Sequence, residues 1–360
     1  MQQNSPYFKS SQVIRLFFLF LSFNRPFLIF LMEKILIIQT AFIGDVILAT
    51  VVIEKLKAHF PLAKIDFLVR KGNESLLQGH PLLNEVLIWN KKENKKKNLL
   101  RMIFQIRKKK YDVLINLQRY FSTGLLTVFS NAKKTIGFDK NPLSMFFHQS
   151  IKHQFEIGTH EVNRNLSLIK KLTDSQFIRP KLYPQEGDFE SVLLYKKKPY
   201  ICIAPTSVWF TKQWHESKWI ELLNQIDEKY KIFLLGSPQD MIVCERIKNE
   251  SSNTHIEILA GKLTLLESAA LMRDAVMNYV NDSAPMHLAS AMNAPTCVIY
   301  CSTVPSFGYG PLAENAHIIQ LEEALPCRPC GIHGHKSCPQ KHFKCAMNIE
   351  IRTLLKALET

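Results

Sequence analysis

The feature that constrains this chain most is a strand–helix alternation that runs, breaks off and starts again. Ile35-Leu36-Ile37-Ile38 is continuously apolar inside a first strand predicted over 34–39, as a parallel strand covered on both faces requires. Residues 43–57 carry helical periodicity. Further strands are predicted at 65–69, 85–89, 112–117 and 134–138, with helices at 99–110 and near 123–129. Residues 139–195 lose this rhythm and keep one predicted helix, 162–172. After Lys196-Lys197-Lys198-Pro199 a second series begins at 200–204. Its later strands are predicted at 231–235, 256–259, 275–280 and 296–300, and its helices near 217–228, 241–248, 265–273 and 285–292. The pattern predicts an α/β protein with two Rossmann-like halves and a ligand cleft between them. A length of 360 residues suits two such domains. The expected layout is an extension over 1–31, an N-terminal half over 32–195, a C-terminal half with a cysteine-rich tail over 196–345, and a terminal helix over 346–360.

Charge narrows the partners. Lys and Arg number 46 against 31 Asp and Glu, a net +15. That excess favours nucleic acid, a phosphorylated glycolipid or an acidic membrane surface. The basic runs Lys91-Lys92, Lys95-Lys96-Lys97 and Lys108-Lys109-Lys110 lack interleaved aromatics, so a solvated face is the plainer reading and no nucleic acid is expected. Residues 1–31 hold two apolar runs split by Ser22, Asn24 and Arg25, each too short for a spanning helix of about 20 residues. Two readings stand: translation begins at Met32, or the segment associates with a membrane. Setting aside Lys9, Arg15 and Arg25, its only charged residues, takes three from +15 and leaves +12.

Three strand-to-helix turns carry the candidate chemistry. In Thr40-Ala41-Phe42-Ile43-Gly44-Asp45, Gly44 permits close approach to the backbone. Asp45 either stabilises the first helical turn or faces the cleft as a general base. No G-x-G-x-x-G is present there, against ordinary dinucleotide binding. The second turn runs from Ala204-Pro205-Thr206-Ser207 to Thr211-Lys212-Gln213-Trp214; Lys212 is either solvated or neutralises a phosphate. In Asn281-Asp282-Ser283-Ala284-Pro285-Met286-His287, Asp282 or Ser283 can cap the following helix, whose N-terminus is an anion site. His287 is either packed or ligand-facing.

Taken in this order, the three segments resemble glycosyltransferase family 9. Ile43-Gly44-Asp45-Val46-Ile47 is similar to that family's N-terminus, Thr211-Lys212-Gln213-Trp214 to its lysine-x-tryptophan segment, and residues 281–289 to its Asp-(Ser/Thr)-Gly-x-x-His-Leu signature. Ala284 stands where the family usually has glycine, and the loop Thr303-Val304-Pro305-Ser306-Phe307-Gly308 departs from the usual Phe-Gly-Pro-Thr. The resemblance implies a GT-B fold and inverting, metal-independent transfer of heptose from ADP-heptose to a lipopolysaccharide inner-core acceptor built on lipid A. It implies Asp45 as base and Lys212 beside the leaving diphosphate. Ser207, Ser283, Asp282, Ala284 and His287 are then expected to contact the donor, and Asp240 its ribose. Another nucleotide sugar or acceptor is the alternative within the family, and a basic nucleic-acid-binding protein the alternative of another class. The enzyme would be cytoplasmic, in peripheral contact with the inner face of the cytoplasmic membrane.

Eight cysteines remain. Cys202, Cys244, Cys297 and Cys301 lie in predicted elements and read as reduced, buried thiols. Cys327, Cys330, Cys338 and Cys345 open with C-x2-C, with His333, His335 and His342 among them. They form a structural zinc site, a loop of reduced thiols or disulfides; no cofactor is required for transfer.

Overall fold

The computed structural model describes residues 33–359. The expected extension over 1–31 therefore lies outside the described residues. The first half alternates β1 (Lys34–Ile38), α1 (Ile43–His59), β2 (Lys64–Arg70), β3 (Glu85–Trp89), α2 (Lys95–Lys109), β4 (Val113–Asn116), α3 (Phe121–Val128), β5 (Lys134–Phe138) and β6 (Gln149–Ile151). Two short helices, α4 (Glu161–Ser167) and α5 (Glu186–Ser191), follow. The second half contains β7 (Tyr200–Ala204), α6 (Glu216–Leu223), β8 (Lys231–Leu234), α7 (Met241–Glu250), β9 (Ile256–Ile258), α8 (Leu265–Arg273), β10 (Met277–Asn281), α9 (Ala284–Ala291), β11 (Thr296–Tyr300) and β12 (Ala316–Gln320). It closes with α10 (Lys344–Met347) and α11 (Ile351–Glu359).

Each half is a six-stranded sheet, ordered β3-β2-β1-β4-β5-β6 and β12-β11-β10-β7-β8-β9. Every pair is parallel. The two orders are the same topology used twice. Each reverses direction at one place, between β1 and β4 in the first sheet and between β7 and β10 in the second. Ligands of open parallel sheets bind beyond the carboxyl ends of strands at such a reversal. The turns after β1, β7 and β10 are the three that carry the candidate chemistry.

The central strands are apolar because they are covered twice: Ile35 to Ile38 are fully buried, as are Ile201, Ile203, Val280 and Val298. Cys202, Cys244, Cys297 and Cys301 are buried and unpaired among them, as expected. The end of the chain belongs to the second core. Leu354 and Ala357 of α11 pack with Trp214, Trp219 and Tyr279. Tyr279 donates to the Leu354 carbonyl at 2.9 Å and the Trp214 indole to that of Ala346 at 3.0 Å. Among the described residues no helix is long and apolar enough to cross a membrane.

Three expectations about elements change. β6 and β12 were not anticipated, because both are partly exposed edge strands without a continuous apolar run. The helix expected over 162–172 ends at Ser167. Beyond it the chain keeps its apolar spacing but is held by i+3 bonds, Leu168 N–H to Asn165 O and Ile169 N–H to Leu166 O. The helix expected over 217–228 stops at Leu223, where the Asn253 amide takes the carbonyls of Leu223 and Ile226.

Candidate active site

A cleft of about 400 Å³ opens between the two sheets and is lined from both halves. The first half contributes Phe42, Gly44, Asp45 and Arg70; the second contributes Ser207, Trp209, Lys212, Asp282, Ser283, Ala284, His287 and Tyr309. Of the residues singled out in the sequence, only Asp240 of the donor set is absent from its wall. Asp240 instead closes the turn after β8, its Oδ2 accepting from the Ser237 N–H at 2.7 Å and the Ser237 hydroxyl at 2.6 Å. The cause is local: a short helical turn at Pro238–Asp240 directs the carboxylate back on its own backbone.

Asp45 occupies the third position of α1. Its Oδ2 accepts the Phe42 N–H at 3.0 Å, so the helix-stabilising role is real. The same carboxylate lines the cleft, and the two roles coexist because a carboxylate has several acceptor sites. Burial raises its pKa above the ordinary value, against the lowering effects of the Phe42 N–H and of nearby His333 and Arg70.

Gly44 is where the halves meet. A Cβ there would lie 2.7 Å from Cδ2 of His287, so α1 and α9 approach closely only because this residue has no side chain. His287 is buried, its Nδ1 has no hydrogen-bond partner among the described residues, and burial depresses its pKa to about 4. It therefore faces the cleft uncharged at neutral pH.

Lys212 and Asp282 form an ion pair at 2.7 Å, with little of either side chain exposed. Asp282 Oδ2 also accepts from the Thr303 hydroxyl at 2.6 Å. Asp282 is thus held by Lys212 and Thr303, and the expected side-chain cap of α9 is not made. Ser283 takes the N-cap position, also without a side-chain cap bond. Ser283 and Ala284, at the start of α9, line the cleft, while Pro285 has no N–H and the Met286 N–H bonds the Ser283 carbonyl at 3.1 Å. Asn281 locks the turns after β7 and β10 together: its Oδ1 accepts from the Trp214 N–H at 2.9 Å, and its Nδ2 donates to the Pro205 carbonyl at 2.9 Å.

A structural zinc site is one of three readings of the tail cysteines. Among the described residues no three His, Cys, Asp or Glu side chains are placed to hold a metal. The Cys330 thiol donates to the Cys327 carbonyl at 3.0 Å, and Cys345 is buried in the second core. All four are free thiols, not disulfides. Their mutual proximity and burial push the Cys345 thiol up to about 11.

The comparisons with known proteins fit this geometry. The model of glycosyltransferase family 9 (heptosyltransferase) matches residues 99–341. The chain belongs to glycosyltransferase family 9. Lipopolysaccharide heptosyltransferase 3 of Escherichia coli K12 is 30% identical to this family 9 enzyme over 299 residues, covering 77% of the chain and 84% of that protein. Lipopolysaccharide heptosyltransferase 1 of Campylobacter coli is 28% identical over 350 residues, 91% of the chain and 98% of that protein. Among solved structures, E. coli ADP-heptose lipopolysaccharide heptosyltransferase II superposes with a TM-score of 0.77 at 22% identity, covering 91% of this chain and 98% of that one. That likeness places the fold among the GT-B transferases.

Sequence reasoning missed several residues of this family 9 site. Arg70 directly follows the predicted second strand, and the rim position of a strand's last residue was the available signal. Tyr309 lies one residue past the loop whose departure was noted. Glu161 and Arg164 are a different case: the irregular stretch around them is where the sequence allows acceptor contacts, and they do not line the cleft but join the two halves. Their side chains pair at 2.6 Å, and Arg164 donates to the Thr159 carbonyl at 2.6 Å. The Glu161 N–H donates to the Gly308 carbonyl at 2.8 Å, and Gly158 to that of Ser306 at 2.7 Å. Gly308, at φ +90°, has the Thr159 carbonyl where a Cβ would stand, so only glycine lets this second seam between the halves close.

Proposed function

We propose that this family 9 heptosyltransferase moves a heptose from ADP-heptose to a hydroxyl of the lipopolysaccharide inner core with inversion, and that Asp45 is the base. One observation carries the reading: a single cleft holds a burial-raised carboxylate from one half and, from the other, a lysine–aspartate pair beside a helix N-terminus. Inverting transfer needs that division. The acceptor hydroxyl gives its proton to Asp45 as its oxygen attacks the anomeric carbon. The bond to the diphosphate breaks on the opposite face, and the charge that develops there is met by Lys212 and the positive end of the α9 dipole. Those positive groups supply the leaving-side stabilisation, so the proposed step is metal-independent. His287, being neutral, shapes the donor pocket and offers hydrogen bonds without adding charge.

The pH profile tests the base. Asp45 works only when ionised, so activity is lost as pH falls through its pKa. Because that pKa is raised, the acid limb of kcat/KM should lie above the ordinary carboxylate range. The nearby Arg70 cation lowers it, so Arg70→Met should move the limb to still higher pH. A limb that stays put in Arg70→Met would contradict the assignment.

The membrane contact is proposed for α2. Its sequence, KKKNLLRMIFQIRKK, has seven lysines and arginines and no acid. Met102, Ile103 and Ile106 face the core. On the outer side Leu100 and Phe104 are 55% and 69% exposed, one turn apart, with Lys96, Lys97, Arg107 and Lys108 at the adjoining positions. An apolar pair ringed by cations suits an anionic leaflet, where each basic residue contributes about 1 kcal/mol. Binding to vesicles of anionic lipid should fall with salt and fall further in Phe104→Glu. Tighter binding to duplex DNA than to such vesicles would argue against this placement.

A further inference from the structure

The cysteine-rich tail is built onto the donor side of the cleft at three places. Arg328 donates to the carbonyls of Cys301 (2.7 Å) and Thr303 (2.9 Å), at the carboxyl end of β11. The Cys330 N–H donates to the Ser302 carbonyl at 2.8 Å. Thr211, the neighbour of Lys212, exchanges two bonds with His335: the Thr211 N–H reaches the His335 carbonyl at 3.1 Å, and the His335 N–H reaches the Thr211 hydroxyl at 2.7 Å. Gly334 makes this seating possible. At φ +74° its missing Cβ would lie 2.8 Å from the Thr211 hydroxyl and 3.1 Å from that of Ser302.

The consequence is the position of the two preceding residues. Ile332 and His333 form part of the cleft wall together with Asp45, Lys212 and Asp282. The His333 imidazole is within electrostatic reach of all three and of Arg119. Partial burial, and then the nearby cations Lys212 and Arg119, favour its neutral form. A neutral imidazole keeps one N–H to donate. The cysteine spacing explains none of this placement.

We propose that His333 is a donor-contacting residue: its ring N–H hydrogen-bonds the diphosphate of the nucleotide sugar next to Lys212, and the tail is thereby a wall of the donor site. The inference rests on the donor side assigned above to Lys212 and α9.

The test is calorimetric binding of ADP, UDP, GDP and CDP to the full chain and to His333→Ala and His333→Gln, with donor KM, kcat and Tm for each protein. A lost hydrogen bond to a charged group predicts that His333→Ala binds the preferred diphosphate about tenfold more weakly. Donor KM should rise more than kcat falls, Tm should not change, and His333→Gln, which keeps an N–H, should recover part of the affinity. Equal affinity in wild type and His333→Ala overturns the inference alone. A loss that comes with a lowered Tm and without rescue by glutamine also overturns it, assigning His333 to the folding of the loop. A wild-type protein that binds none of the four nucleotides overturns the donor-side assignment and this inference with it.

Discussion

Asp45→Asn should reduce kcat by roughly 10²–10⁴-fold, the contribution of a positioned general base, while ADP affinity stays near wild type. The amide oxygen can still accept the Phe42 N–H that Asp45 Oδ2 now holds at 3.0 Å, so the first turn of α1 should remain folded and Tm should change little. What the amide cannot do is take a proton from the acceptor. Steady-state rates combined with calorimetric ADP binding separate the two roles. Near-normal turnover in Asp45→Asn would leave Asp45 as a helix-stabilising acid only. Loss of ADP binding would mean that the substitution disturbed the donor half, which Asp45 does not belong to.

Lys212→Met should act on both rate and stability. Removing a cation aimed at developing charge typically costs about 10²–10³ in rate, and under the proposed donor role of Lys212 the donor KM should rise as well. Stability falls for a separate reason. The Lys212–Asp282 pair at 2.7 Å is largely withdrawn from solvent, and deleting one partner strands the other, at a cost of up to about 3–5 kcal/mol for a fully buried pair. The Thr303 hydroxyl still bonds Asp282, which softens the loss. The double variant Lys212→Met/Asp282→Asn removes the stranded charge, so it should recover Tm while leaving turnover depressed. Recovery of both would mean that Lys212 serves structure alone.

The two-part fold was legible because its signal is strong and local. Buried parallel strands such as Ile35–Ile38 and Ile201–Ala204 leave continuous apolar runs, and their spacing by helices announces the crossovers. The edge strands β6 and β12 carry no such run, since half their surface meets solvent. Of the site, the residues that were legible sit in the turns after β1, β7 and β10, where topology puts them at the ligand rim. Gly44 was read as allowing close approach, and the surface it approaches is His287 of the other half. Asp240 stands outside the cleft wall because the turn after β8 folds its carboxylate back onto Ser237. The capping reading of Asp282 failed for a related reason: its partners, Lys212 and Thr303, lie 70 and 21 positions away in the chain, and long-range pairings leave no local pattern. Tyr309 and His333 enter the cleft through irregular loops with no periodicity to read.

The central claim is transfer of heptose from ADP-heptose to a core acceptor. Its most direct measurement incubates the purified protein with a lipid A–core acceptor and, in parallel, ADP-heptose, ADP-glucose, UDP-glucose and GDP-mannose, and follows nucleotide release together with the mass of the lipid product. ADP release only with ADP-heptose, dependent on the acceptor and matched by a product heavier by one heptosyl residue, is the expected result. Faster acceptor-dependent release from another donor, with the corresponding sugar found on the product, would contradict it.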